Sequence, residues 1–338
     1  MIQKLLINYL HEERPYNKEE DMMNISENKF KGKKSKKSSL LYLWHNKWLY
    51  LMMVPVVIWV LVFAYVPMGG IVIAFKNFNY MKGIFDSPWC GLDNFKFMFM
   101  TNTIWKIIGN TIYLNVLFII TGTIAQLVLA LLFCEIRNKY VKKVTQSIAI
   151  LPHFISWAVI AMFLTGFLNT NGMLNQLLSA MGKETINFYA ESSYWRVILV
   201  LLKIWQGAGF GTIVYIAAIT GFDQEMYEAA RIDGANRFQQ IFLITLPLLK
   251  STIVLLTIMS IGNIFKGDFG MIYALIGDNA LLFDTTDVID TYVYRIFRTN
   301  KNLGMSTAVS FLQSIIGLVM VFSTNLFIKK VDPESALF

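Results

Sequence analysis

Residues 228 to 247 read Glu-Ala-Ala-Arg-Ile-Asp-Gly-Ala-Asn-Arg-Phe-Gln-Gln-Ile-Phe-Leu-Ile-Thr-Leu-Pro, a segment with a charged front half lodged between two long apolar runs. These residue types suit docking, not bond making. Glu228 offers one carboxylate to a basic partner. Ala229 and Ala230 add so little bulk that another protein's surface can come close to the backbone. Asp223 is placed to cap a helix running through Tyr227 to Asp233, with Asp223 and Glu225 near its positive end. Gly234 has no Cβ and can take the left-handed conformation that ends this helix. The chain then turns into a second helix over roughly Arg237 to Leu246, and Pro247 starts the next apolar run.

The elements that must hold this segment follow from composition. The chain has 338 residues, 55% of them hydrophobic and only 15% charged, too much apolar surface for an ordinary soluble domain. A hydrocarbon core of about 30 Å needs roughly 20 helical residues. Six stretches are expected to cross it: Leu49 to Phe75, Ile107 to Cys134, Val144 to Leu168, Val197 to Thr220, Leu248 to Phe265 and Thr307 to Ile328. Lys and Arg concentrate in the segments that lie inside if the N-terminus is cytoplasmic, including Arg137, Lys139, Lys142, Lys143 and the pair Lys329-Lys330 at span ends. Both termini and the segment 221 to 247 are therefore expected on the cytoplasmic side.

The expected organisation is a basic, disordered tail (1–47), a transmembrane domain (48–330) and a short cytoplasmic tail (331–338). The net charge of +8 comes largely from Lys29, Lys31, Lys33, Lys34, Lys36 and Lys37. Such a cluster beside the first span either rests on anionic lipid headgroups or is simply solvated, and does not imply nucleic acid. Residues Ile2 to Leu10 lack the length and cleavage site of a signal peptide, and Met22 or Met23 is an alternative start. Cys90 and Cys134 are expected on opposite membrane faces and so do not pair.

Catalytic constellations are not found. The Gly-Lys pairs at Gly32-Lys33 and Gly182-Lys183 do not complete a phosphate loop. The three histidines fit no metal or hydrolase pattern. His153, after Pro152, reads as a packed, hydrogen-bonded histidine in a span bent by the proline. Lys203 reads as a charge snorkelling to the headgroups, and Gly207, Gly209 and Gly211 as sites of close helix packing. Asp284, Asp287 and Asp290 lack a calcium-loop spacing.

The pattern Glu228-Ala229-Ala230, Gly234, Ile244, Leu246, Pro247 resembles the EAA loop of the membrane subunits of ATP-binding-cassette importers. Tyr65-Val66-Pro67-Met68, Gly70 to Phe75, Ser87-Pro88-Trp89, Gly91-Leu92, Leu151 to Trp157, Asp287 to Tyr294 and Pro333 to Phe338 look like the carbohydrate (polysaccharide or multiple-sugar) branch. The resemblance covers about residues 40 to 338 and implies an all-α membrane protein with six transmembrane helices, the type I importer permease fold. It implies coupling residues Glu228, Ala229, Ala230, Asp233, Gly234, Ala235, Ile244, Leu246 and Pro247. It also implies a second, non-identical permease, two ATPase subunits that bind ATP and Mg, and an extracellular solute-binding protein received by the outer segments; a homodimeric core stays open. The cargo would be an oligosaccharide or polysaccharide fragment. Sugars bind to aromatic faces, amides and hydroxyls, so Trp157, Trp205, Gln206, Asn263 and Phe265 are candidate path residues, or interface and packing residues instead. An ion-gradient-driven transporter or a non-transporting membrane assembly protein is the alternative; neither needs the EAA segment.

Overall fold

The computed structural model describes residues 46–100 and 102–331. The expected disordered tail, its lysine cluster and nearly all of the C-terminal tail lie outside the described residues. Among those described, six helices are long and apolar enough to cross a membrane: Lys47–Phe75, Thr103–Glu135, Trp157–Ala180, Ser192–Thr220, Arg237–Ile261 and Leu303–Lys330. The contacts divide the chain at Gly69 into two units.

The described part of the first unit is the helix Lys47–Val60, a wide π turn at Leu61–Tyr65 and one further turn, Val66–Met68. None of its helical side chains is buried, as suits an apolar helix whose solvent is lipid. Its π turn has a sequence cause. Pro67 lacks an N–H and its ring would collide with the carbonyl four residues back, so the ladder widens and the Val66 N–H reaches the Leu61 carbonyl instead. The same device recurs in the second unit, where Ile241–Thr245 forms a π turn ahead of Pro247 and the Leu246 N–H reaches the Ile241 carbonyl.

The second unit packs the remaining spans. The fourth, Trp195–Thr220, lies closely against the second, Asn102–Glu135, and against the helix Lys139–Ile150, and glycines permit both approaches. A Cβ on Gly209 would sit 1.9 Å from the Ala149 carbonyl oxygen, and one on Gly211 would sit 2.3 Å from the Gln126 side chain. Two of the three expected packing glycines thus make close contacts, whereas Gly207 has nothing within 4 Å.

The third span differs from expectation. The stretch from Val144 to Leu168 is not one bent helix. Lys139–Ile150 is a separate helix, Leu151–Phe154 a tight 3-10 turn, and Ile155 and Ser156 are extended before Trp157–Leu168 begins. Pro152 initiates the tight turn, and Ser156 caps the new helix through the Val159 N–H. His153 stacks flat on Phe210, ring centres 4.1 Å apart, but its buried Nδ1 has no hydrogen-bond partner.

The fifth span also differs. It does not start at Pro247 but continues from Arg237 through the π turn to Ile261. Asn263 and Phe265 follow it in a turn, where the Asn263 N–H bonds to the Ser260 carbonyl.

The largest buried cluster joins Leu114 and Phe118 of the second span, Ile160 of the third, Trp195 and Leu199 of the fourth, and Met271, Ile272, Leu275 and Ile276 of a loop helix, Phe269–Ile276. It lies at the end of the bundle away from residues 224–240. Hydrogen bonds fasten the connection between the fifth and sixth spans over this end: Asn110 to the Asp284 carbonyl, Thr285 to the Ser192 carbonyl and Asn279 to the Tyr189 carbonyl.

Candidate functional site

Two places on the chain combine exposure with specific polar structure. The first is the segment from Asp223 to Pro247. The Asp223 carboxylate accepts the Glu225 N–H at 3.0 Å and opens the helix Gln224–Ile232. Gly234, at φ 83°, closes it. The Ala235 N–H reaches the Ala230 carbonyl at 2.8 Å and the Gly234 N–H the Arg231 carbonyl at 3.1 Å, the crossed pair of a Schellman closure. A Cβ at Gly234 would meet nothing within 4 Å, so backbone conformation alone calls for glycine.

The next helix starts with a reciprocal cap: the Gln239 N–H donates to Asn236 Oδ1 at 2.9 Å, and the Asn236 N–H to Gln239 Oε1 at 2.7 Å. Asn236-x-x-Gln239 is a sequence-legible capping box that the reading of the residues missed.

Side chains tie this elbow to the spans. The Tyr227 hydroxyl meets Thr245 Oγ1 at 3.1 Å, Gln240 Nε2 donates to the Ala235 carbonyl at 3.0 Å, and Arg237 pairs with Glu135 at the end of the second span at 3.6 Å. What faces outward is mixed. Glu228, Ala229, Asp233 and Pro247 are exposed, and Ala230, Ala235, Ile244 and Leu246 are half-buried. Ile232 is 86% and Phe238 73% exposed. Both were missed as site residues, although two large apolar side chains in a charged segment were a readable signal.

The second place is a cavity of about 410 Å³ between the second, fourth and fifth spans, lined among others by Asn115, Gln126, Lys203, Asn263, Lys266 and Asp268. Asn115 Nδ2 donates to the carbonyls of Ile264 and Lys266, both at 3.0 Å, and so fixes the turn after the fifth span. Lys203 does not snorkel. Its Nζ lies 2.6 Å from Asp268 Oδ2 and 6.0 Å from the centre of the Trp157 ring. Pairing replaces headgroup contact because the turn brings Asp268 to the fourth span. Asp268 Oδ1 meanwhile caps the loop helix through the Met271 N–H.

Behind the turn, Asp290 Oδ2 accepts the Gly267 N–H at 2.5 Å and Gln313 Nε2 at 3.1 Å. Burial pushes the Asp290 carboxyl above its ordinary range, partly offset by these two hydrogen bonds and by the charge of Lys266. Asp284, Asp287 and Asp290 share no centre: Asp284 pairs with Lys106, Asp287 with Arg295, and Asp290 serves the turn.

The expected path residues separate. Asn263 lines the cavity, with its amide donating to the Met259 carbonyl at 3.2 Å, and Trp157 stands beside the Lys203 ammonium. Phe265 packs instead with Ile104, Ile107, Ile289 and Val309. Trp205 borders a separate apolar hollow with Ile155, Phe163, Phe167 and Leu202, and Gln206 is half-buried on the fourth span.

A bundle of spanning helices with an exposed helical elbow at one end and a polar cavity between the spans is the build of a transport subunit. Residues 126–334 match the family described as binding-protein-dependent transport system inner membrane component, and the chain belongs to it. It is a multi-pass membrane permease subunit.

Two relatives are Protein LplB of Bacillus subtilis (strain 168), 37% identical over 290 residues covering 86% of this chain and 91% of the relative, and the polygalacturonan/rhamnogalacturonan transport system permease protein YteP of the same organism, 38% identical over 303 residues covering 89% and 94%. The fold matches a crystal structure of a bacterial ABC transporter involved in import of the acidic polysaccharide alginate. That match has a TM-score of 0.79 and 33% identity, and covers 87% of this chain and 99% of the other. A second matching structure shows the alginate transporter with a pentasaccharide-bound periplasmic protein (TM-score 0.76, 33% identity, 86% of this chain and 96% of the other). The expected all-α importer permease fold is therefore the observed one.

Proposed function

We infer that this chain is one permease of an ATP-driven importer that carries oligosaccharides or polysaccharide fragments received from an extracellular solute-binding protein. The cargo class rests on what the similar permeases and the alginate transporter are named for. Two separate ATPase subunits, holding ATP and Mg, dock on residues 221–247, and a second, non-identical permease completes the translocation core. The termini and the docking elbow are cytoplasmic, in keeping with the basic residues at the inner span ends.

The observation that carries the docking assignment is the elbow itself. Glu228, Ile232 and Phe238 are presented to solvent on a frame in which the Gly234 closure, the Asn236 cap and the Arg237–Glu135 pair leave little freedom. A surface that is exposed, partly apolar and locally rigid suits a partner that must transmit a push. The fifth span continues directly from it through the π turn, so displacement of the elbow reaches the turn bearing Asn263 along a continuous helix. The Asn263 and Trp157 side chains are the path residues this reading retains.

Site-directed crosslinking tests the docking. A single cysteine introduced by Glu228→Cys, in a chain whose Cys90 and Cys134 are replaced by serine, is expected to form a disulfide with cysteines placed in the groove of the co-expressed ATPase. Failure to crosslink at any groove position in a complex that still hydrolyses ATP and transports would remove the elbow from the interface.

A further inference from the structure

From Trp157 to Gly182 the chain contains no Asp, Glu, Lys, Arg or His. This stretch forms the helix Trp157–Leu168 of the third span and then, after a turn, a separate helix, Met173–Ala180. The turn is tight. The Gly172 N–H donates to the Asn169 carbonyl at 2.7 Å, and a Cβ on Gly172 would sit 2.5 Å from the Phe167 carbonyl oxygen, so the short helix starts against the end of the span. The 12 residues of Trp157–Leu168 give about 18 Å of helix, against a hydrocarbon core of about 30 Å. A span of that length does not lift the turn far beyond the hydrocarbon boundary.

The short helix is fixed in orientation, and its apolar side faces out. Asn175 is buried against the rest of the loop: its Nδ2 donates to the carbonyls of Asn169 at 3.1 Å and Ile186 at 2.8 Å, and its Oδ1 accepts the Ile186 N–H at 2.8 Å. At about 100° per residue, Leu174, Met181, Leu177 and Met173 share one arc, with Gln176 and Ser179 on another. That apolar arc is bare, with Met181 71%, Met173 55% and Leu177 48% exposed. A helix washed by water places such residues inward. Here the buried side carries an amide and the open side carries leucine and methionine.

We propose that Met173–Ala180 lies in the plane of the membrane interface, with Leu174, Leu177 and Met181 among the acyl chains. The bare arc continues the exposed apolar surface of the third span, Met162, Phe163 and Phe167, so lipid is the solvent for both. Gly182, at φ 73°, ends the helix, and the first charges of the region, Lys183 and Glu184, follow it exposed, at the level of the headgroups. With the topology proposed above, this is the outer leaflet. An uncharged helix of this kind is held by its buried apolar area and not by lipid charge, so neutral phosphatidylcholine is sufficient.

The test places a single cysteine by Leu177→Cys in an otherwise cysteine-free importer and labels it with an environment-sensitive fluorophore in phosphatidylcholine nanodiscs. Ser179→Cys, about 200° away around the helix, is the comparison. The label at 177 is expected to emit blue-shifted and to be quenched by phosphatidylcholine spin-labelled near the top of its acyl chain, and the label at 179 to be quenched much less. Met181→Cys, on the same arc, gives the same reading should Leu177→Cys fail to assemble. Spin label in both leaflets makes the result independent of the topology. Three results overturn the proposal: equal quenching at 177 and 179; a blue shift at 177 without quenching, which assigns the arc to a neighbouring subunit; and an aqueous spectrum that shifts only when the solute-binding protein is added, which assigns it to that partner.

Discussion

The docking elbow and the cavity are both polar structures in an apolar chain, yet they are assembled differently. Along the elbow the tying contacts are short in sequence: Tyr227 reaches Thr245 across 18 residues, and the caps and closure span five or fewer. Its one long tie is Arg237 to Glu135. The cavity joins Asn115 to Ile264 across 149 residues and Lys203 to Asp268 across 65. A locally closed elbow can move as a body without losing its shape. A cavity whose walls belong to separate spans must change shape whenever those spans shift. In the proposed reading the elbow is the lever and the cavity the gated site, and the fifth span connects them.

Disrupting the lever should have the larger effect. Gly234→Val forces a β-branched residue into a left-handed conformation that costs on the order of 1–3 kcal/mol, in a place where no neighbour offers compensating contacts. The helix Gln224–Ile232 and the following cap would lose their fixed angle. Transport by the reconstituted importer is expected to fall more than tenfold while the chain still inserts into the membrane. Gly234→Asn, which tolerates that conformation better, should retain a substantial part of the activity. Equal activity of the valine variant and wild type in an uptake assay would show that the elbow's angle is not what couples ATP use to transport.

Altering the gated site should have a smaller effect. Asn263 borders the cavity, and the one hydrogen bond recorded for its side chain among the described residues goes to the nearby Met259 carbonyl, so Asn263→Ala should leave assembly and basal ATP hydrolysis unchanged. Uptake and substrate-stimulated hydrolysis should each fall a few-fold, the scale of one hydrogen bond at about 1 kcal/mol. A normal uptake rate in a well-assembled complex would take Asn263 out of the path, and reduced assembly would make it a packing residue.

The same contrast explains what could be read from the residues. The elbow's helix, its aspartate cap and its glycine stop are encoded by neighbours in sequence, and their observed positions are those expected from Asp223, Glu225 and Gly234. Six spans were legible from hydropathy, and so were ends such as Phe75 and Thr220, but not the starts of the third and fifth spans. Pro247 was expected to start the fifth span, whereas the helix runs through it by way of a π turn. Pro152 was expected to bend a span that instead breaks, because Ser156 supplies a fresh cap. Lys203 was misread for a different reason. Its partner is set by how the turn at Gly267 folds back onto the fourth span, and no local pattern around position 203 contains Asp268.

The smallest effect is expected where the turn that carries the cavity is anchored. Asp290 is held above its ordinary carboxyl range chiefly by burial, while the Gly267 N–H, Gln313 and Lys266 pull the other way. A carboxyl with a raised value in the folded state contributes fully below its unfolded value, and that contribution is lost as pH rises through the folded one. The anchored turn should therefore weaken as pH rises above the ordinary carboxyl range. Asp290→Asn retains an oxygen able to accept from both Gly267 and Gln313 but never ionises, so its melting temperature should lack this fall. The variant should melt with wild type at low pH and about 2 °C above it at pH 8, the scale of a change below 1 kcal/mol in a chain of this size. Differential scanning fluorimetry of the complete importer across that range checks the sign. A variant that melts below wild type by the same margin at every pH would mean that the ionised carboxylate's hydrogen bonds outweigh its desolvation. The turn would then be fixed by charge, like the Lys203–Asp268 pair a few residues away, and not in spite of it.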